Sequence, residues 1–204
     1  MKTTKIIIFG LIFILVILAV IFITFLNKKP STIKERYPTM MTIETSLGNI
    51  DIELFDKNAP ITVANFKKYV DANFYDGTVY HRVIKGFMIQ GGGFLATGSE
   101  KTNNPAIVLE DTNKTKLSNT KGTLAMARTM DPNSATSQFF INTADNLFLN
   151  YENSPNPGYA VFGKVVSGMD IVLKIENSKT TTKFGAYSDW PVEDVIIKRI
   201  YLKE

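Results

Sequence analysis

Residues 80–94 read YHRVIKGFMIQGGGF. Two apolar runs, Thr78 to Ile84 and Phe87 to Gln90, are separated by Gly86 and read as short strands. Arg82 sits between apolar strand residues, a setting that holds a cation over a pocket rather than on an open surface. The glycines of Gly91-Gly92-Gly93 precede Phe94-Leu95-Ala96, so the third glycine of a dinucleotide fingerprint is missing. Gly93 to Gly98 has phosphate-loop spacing, but Ser99-Glu100 stands where a Lys-Ser/Thr pair would hold phosphate and magnesium. The glycines instead predict a bulge or a close approach of backbone. His81 is expected to be a structural, hydrogen-bonded residue, because it lies inside a strand and the chain has no G-x-S-x-G elbow to partner it.

Outward from this stretch the period stays near two. Residues 122–142, GTLAMARTMDPNSATSQFFIN, carry two further apolar runs, Gly122 to Ala127 and Phe139 to Asn142, and Tyr159 to Val166 adds another. Met41 to Thr45 and Asn49 to Leu54 alternate around Leu47-Gly48-Asn49 and predict a hairpin. Pro60 opens PITVANFKKYVDA, whose Val63, Phe66, Tyr69 and Val70 recur at helical spacing. A second helix is expected from Met169 to Glu176, and Val195 to Leu202 closes the chain as a strand. About eight strands and two helices in short connections predict a mainly β fold, a closed eight-stranded antiparallel barrel capped by two helices. Glu110-Asp111, the tightest pair of acids, reads as a solvated loop rather than a carboxylate dyad.

Residues 6–26, IIIFGLIFILVILAVIFITFL, contain no charge over 21 positions and are apolar except for Gly10 and Thr24. As a helix at about 1.5 Å per residue they span roughly 30 Å, the thickness of a bilayer core. The exit, Thr24-Phe25-Leu26-Asn27-Lys28, has no small-x-small cleavage site, so an uncleaved signal-anchor is expected. Residues 1–5 then form a short flank, 27–38 a polar linker with two prolines, and 39–204 a single domain. Six of the 23 basic residues and one of the 19 acids lie in residues 1–36, leaving 17 basic against 18 acidic residues in the rest. That balance excludes an electrostatic footprint for nucleic acid on the body. With no Cys and one His, the chain has no disulfide framework, no thiol nucleophile and no Cys- or His-rich metal site.

The two segments 80–94 and 122–142, with PITVANFKKYV, NFYDGTVYHRVI, FLN (148–150) and GYAVFGKVVSGMD, resemble the cyclophilin family of peptidyl-prolyl cis-trans isomerases over about residues 39–203, in a spelling similar to bacterial members. The resemblance implies rotation about X-Pro bonds of proline-containing polypeptides, in the service of protein folding. It implies Arg82 as the catalytic side chain, with Phe87, Met88, Phe140 and Leu149 lining a proline pocket. Gln90 and Gln138 match polar positions near the substrate, and Ala127 and Arg128 match a strand whose backbone pairs with the peptide. Phe148 falls where many eukaryotic members have Trp, which implies weak binding of cyclosporin-like ligands, and Tyr159 falls where they have His. Lys85 replaces a common Pro, and Gly93 the Asp that follows the glycine pair. No cofactor or metal is implied, and a monomer is expected. The domain is expected on the extracytoplasmic side of the membrane, periplasmic or at the cell surface. The competing reading is a membrane-anchored prolyl-peptide binding module or chaperone with little turnover.

Overall fold

The structure is a computed structural model and describes residues 38–203. The expected membrane-spanning segment 6–26 and the flank and linker beside it, up to residue 37, lie outside the described residues. Among the described residues no helix is long and apolar enough to cross a membrane.

Among the described residues ten strands form: β1 Thr39–Thr45, β2 Gly48–Leu54, β3 Thr78–Ile84, β4 Met88–Leu95, β5 Thr123–Met126, β6 Phe139–Asn142, β7 Val161–Ser167, β8 Thr180–Lys183, β9 Tyr187–Pro191 and β10 Ile196–Leu202. Eight of them close antiparallel in the order β1-β10-β3-β4-β6-β5-β7-β2, so the barrel has no free edge. The expected barrel is present. Strands β8 and β9 are an addition to the expected count, a separate hairpin after the last helix. Their sequence, TTTKFGAYSDWP, carries a usable signal: β-branched and aromatic residues flank Gly185, which turns the chain at φ +73°.

Among the described residues three helices form, where two were expected to cap the barrel: α1 Pro60–Asp71, α2 Thr112–Thr115 and α3 Met169–Glu176. The apolar face of α1, with Phe66 and Tyr69, and that of α3, with Val172 and Ile175, enter the same interior as the inward side chains of the barrel. Phe66 meets Tyr75, Phe139 and Phe162 at ring-centroid distances of 5.2, 5.6 and 5.1 Å.

Glu110 and Asp111 are not a solvated pair. Helix α1 starts behind Ala59, which has no side chain to cap it. Glu110 supplies the cap from a distant loop, accepting from the Ile61 N–H at 3.1 Å, the Thr62 N–H at 2.8 Å and the Thr62 hydroxyl at 2.7 Å. Asp111, buried, caps α2 by accepting from the Lys114 N–H at 3.0 Å. Both carboxylates meet orphan donors at helix N-termini, where the helix dipole also favours negative charge.

Candidate active site

The cross-strand register writes the site as a row. Arg82 on β3 pairs with Gln90 on β4, Gln90 with Phe140 on β6, and Phe140 with Ala125 on β5. Residues directly opposite across a sheet share a face, so these side chains stand together. The neighbouring row, Val83-Ile89-Ile141-Leu124, faces the barrel interior. The result is a second, smaller apolar cluster on the outside of the barrel, holding Met88, Ala125, Phe140, Leu149 and Val161.

Arg82 reaches that outer face through a break in strand parity. Tyr80 and Val83 are both interior although three positions apart, an odd spacing that a regular strand forbids. The register explains it: Tyr80 pairs with Gly91 and Arg82 with Gln90, so His81 is an extra residue, a β-bulge. Both His81 and Arg82 therefore point away from the interior. The glycines opposite behave as expected for close approach. A Cβ on Gly91 would lie 2.9 Å from the Val79 carbonyl oxygen, and one on Gly93 would lie 2.5 Å from Cγ of Gln138. Without a side chain at 93, Gln138 lies across the strand and accepts from Nε2 of Gln90 at 3.0 Å.

Ten of the eleven expected residues line one cleft of about 450 Å³: Arg82, Phe87, Met88, Gln90, Ala127, Arg128, Gln138, Phe140, Leu149 and Tyr159. Phe148 is the exception. It is 67% exposed on a 3₁₀ turn, Leu147–Leu149, and stacks on Phe87 with ring centroids 5.7 Å apart, so it forms the rim while its neighbour Leu149 turns inward. Ala127 and Arg128 follow the end of strand β5 at Met126, and the Ala127 N–H donates to the Gln138 carbonyl at 2.9 Å.

The 3₁₀ turn is held by buried asparagines that the sequence reading passed over. Asn146 donates to the Phe87 carbonyl at 2.8 Å and to Oδ1 of Asn142 at 2.7 Å. Asn142 donates to the Thr123 hydroxyl at 2.9 Å, and Asn119 to the Leu149 carbonyl at 3.2 Å. The bonds to Phe87 and Leu149 tie the backbone of two cleft residues to this buried network.

The two arginines in the cleft differ in what they do with their donors. Arg128 donates from Nε to the Gly158 carbonyl at 2.9 Å and from Nη1 to the Thr129 carbonyl at 2.9 Å, with its guanidinium 4.5 Å from the centre of the Tyr159 ring. The Arg82 side chain makes no hydrogen bond among the described residues, and its one charged partner there is Asp189, with Nε 3.7 Å from Oδ2. Asp189 belongs to the β8–β9 hairpin, whose Ala186, Tyr187, Ser188 and Asp189 complete the cleft wall. These four residues were missed because the hairpin that brings them was missed.

His81 is buried between Phe94 and Trp190, with ring centroids 4.7 and 5.8 Å away. It is structural, as expected, but its Nδ1 has no hydrogen-bond partner. Burial, reinforced by the Arg82 cation, pushes its pKa down to about 4, so the ring is neutral at pH 7.

Residues 40–202 match the family described as cyclophilin type peptidyl-prolyl cis-trans isomerase/CLD. A peptidyl-prolyl cis-trans isomerase of Acinetobacter baylyi is 53% identical over 165 residues, covering 81% of this chain and 86% of that protein. Peptidyl-prolyl cis-trans isomerase B of Escherichia coli is 50% identical over 167 residues, covering 81% of this chain and 100% of its own length. A Cryptosporidium parvum cyclophilin type isomerase, crystallised in the presence of the dipeptide Ala-Pro, superposes with a TM-score of 0.69 at 30% identity, covering 81% of this chain and 99% of its own.

Proposed function

The chain belongs to the cyclophilin-type peptidyl-prolyl cis-trans isomerases, and from that premise we propose that it turns X-Pro bonds by donating hydrogen bonds from Arg82 to the nitrogen of the twisted amide. Partial double-bond character sets a barrier of roughly 18–20 kcal/mol to this rotation. No bond breaks. At the top of the barrier the amide is orthogonal, conjugation is lost, and the prolyl nitrogen carries a lone pair that the planar ground state lacks. A guanidinium aimed at that nitrogen binds the transition state selectively, which is what lowers a barrier.

The observation that carries this reading is the contrast between the two arginines. Arg128 has its donors committed to carbonyls, whereas Arg82 is held at one edge by Asp189 and keeps its terminal nitrogens for a substrate. Met88, Phe140 and Leu149, buried behind the cleft, supply an apolar seat for the proline ring. Their low polarity strengthens the guanidinium's field nearby. Gln90, Gln138 and Tyr159 border the seat and take the peptide's polar groups and flanking side chains.

The test is exchange NMR on a short Ala-Pro peptide, which reads binding and cis/trans exchange in one sample. Arg82→Ala is expected to lower turnover by about 10²–10³-fold, roughly 2.7–4 kcal/mol, the loss typical of one preorganised transition-state donor. Peptide affinity should change far less, and Arg82→Lys should rescue poorly because an ammonium lacks the planar fork. Wild-type exchange in the Ala variant overturns the mechanism, and parallel loss of binding and exchange makes Arg82 a substrate clamp only.

The same reading extends to placement in the cell. Residues 6–26 anchor the chain, and residues 39–204 act on folding polypeptides as a monomeric domain on the extracytoplasmic side. The support is the charge-free apolar length of residues 6–26, and large domains translocate largely regardless of their charge. The full chain should resist alkaline extraction from membranes, and added protease should reach the domain in intact cells. Recovery in the soluble fraction, or protection from protease, overturns the respective half.

A further inference from the structure

Resting on that reading of Arg82, we infer that Asp189 is a positioning residue for the isomerase reaction. An arginine side chain has four rotatable bonds, and Arg82 is 46% exposed with no hydrogen bond among the described residues to hold it. Left alone, such a chain spends most of its time away from any single geometry. Asp189 Oδ2 lies 3.7 Å from Nε, the inner edge of the guanidinium fork, so its attraction biases the direction of the fork and leaves the two terminal nitrogens free for the cleft.

The carboxylate can do this because its own backbone is held. The next residue, Trp190, is fully buried and donates from Nε1 to Oδ1 of Asp194 at 2.7 Å, while Lys183, from the other strand of the hairpin, pairs with the same oxygen at 2.9 Å. Trp190 and Tyr187 pack on Phe94, at ring-centroid distances of 6.1 and 5.2 Å. Phe94 belongs to β4, the strand that pairs with β3 and carries Gln90. The hairpin is thus bolted to the strands that carry Arg82 and Gln90, and Asp189 projects from it as a fixed negative charge beside a mobile cation. Asp189 touches no reacting atom; it acts through Arg82.

The experiment is a double-mutant cycle of Asp189→Asn and Arg82→Ala, read by exchange NMR on the Ala-Pro peptide, with enzyme concentration raised in the Arg82→Ala arms to keep exchange measurable. Asp189→Asn should lower exchange at saturating peptide by about 3–5-fold, the scale of one exposed ion pair, and leave peptide affinity within about twofold. In the Arg82→Ala background the same substitution should change nothing further. The Arg82 side-chain N–H resonance should shift in Asp189→Asn, and Asp189→Glu should recover part of the lost rate. Raising salt should bring the wild-type rate toward that of Asp189→Asn and leave the variant's own rate unmoved. A full rate in Asp189→Asn overturns the inference, and so does an equal loss in both backgrounds, which would mean that the residue acts through the hairpin's fold. Wild-type exchange in Arg82→Ala defeats the reading of Arg82 itself, and that arm is measured independently of Asp189.

Discussion

The two walls of the cleft are held by different physics. Met88, Phe140 and Leu149 are buried side chains on β4, β6 and the 3₁₀ turn, and the turn is tied down by Asn119, Asn142 and Asn146 through bonds of 2.7–3.2 Å. Across from them, Arg82 and Asp189 are 46% and 36% exposed and meet at 3.7 Å. Buried hydrogen bonds are costly to leave unmade, so the apolar wall has one arrangement. An exposed ion pair is worth about 0.2–1 kcal/mol, enough to bias a guanidinium but not to lock it. Under the mechanism proposed above, the proline ring meets a rigid seat and the amide nitrogen a donor that can adjust to it.

The largest expected break in this contrast is Phe140→Ala. Losing a buried phenyl ring typically lowers stability by about 3–5 kcal/mol, and here the low end is expected because one side opens on the cleft. Asp189→Asn on the opposite wall should stay within about 0.5 kcal/mol of wild type. Urea midpoints of the two variants compare the walls directly, and similar losses would erase the distinction drawn above.

Acid should weaken the donor side through His81, which lies behind Arg82. Its folded pKa of about 4 is below its ordinary 6.5, so the unfolded chain binds the proton first as pH falls between these values. The contribution of the neutral ring is therefore complete above pH 6.5 and lost as pH falls through about 4, amounting to roughly 3 kcal/mol. Replacing His81 with Phe should flatten the dependence of the urea midpoint on pH in that window. An unchanged slope would place the sensitivity elsewhere.

On the apolar side, Asn146→Ala removes one of the two donors to the Phe87 carbonyl, which keeps the Thr143 N–H at 3.0 Å, and leaves Oδ1 of Asn142 unpaired. A loss of about 1–3 kcal/mol follows, with weaker peptide binding because the 3₁₀ turn that carries Leu149 loses its side-chain tie to the Phe87 backbone. Calorimetric unfolding and a peptide titration separate the two effects. The smallest change is expected at the rim. Phe148→Trp adds an N–H donor to an exposed ring and should tighten a cyclosporin-like ligand by about 0.5–1.5 kcal/mol, with unfolding temperature unchanged. Unchanged affinity in calorimetry would mean that the rim does not close on the ligand.

The sequence by itself determined the barrel and most of the seat. Alternation in short β-branched runs specifies strands that bury one face, and Pro60 and the 3.6-residue spacing after it specify α1. The motifs in 80–94 and 122–142 pointed to eight of the residues that line the cleft, and FLN and GYAVFGKVVSGMD to Leu149 and Tyr159. What the sequence could not determine is which way Arg82 points. Strand parity puts Arg82 on the same face as Tyr80, inside the barrel, and only the pairing of β3 with β4 inserts the bulge at His81 that turns it out. The same holds for the partners that lie far along the chain, Asp189 beside Arg82 and Glu110 at the start of α1. Local propensity acts over a few residues, whereas bulges, caps from distant loops and ion pairs across hairpins exist only once the chain has closed on itself.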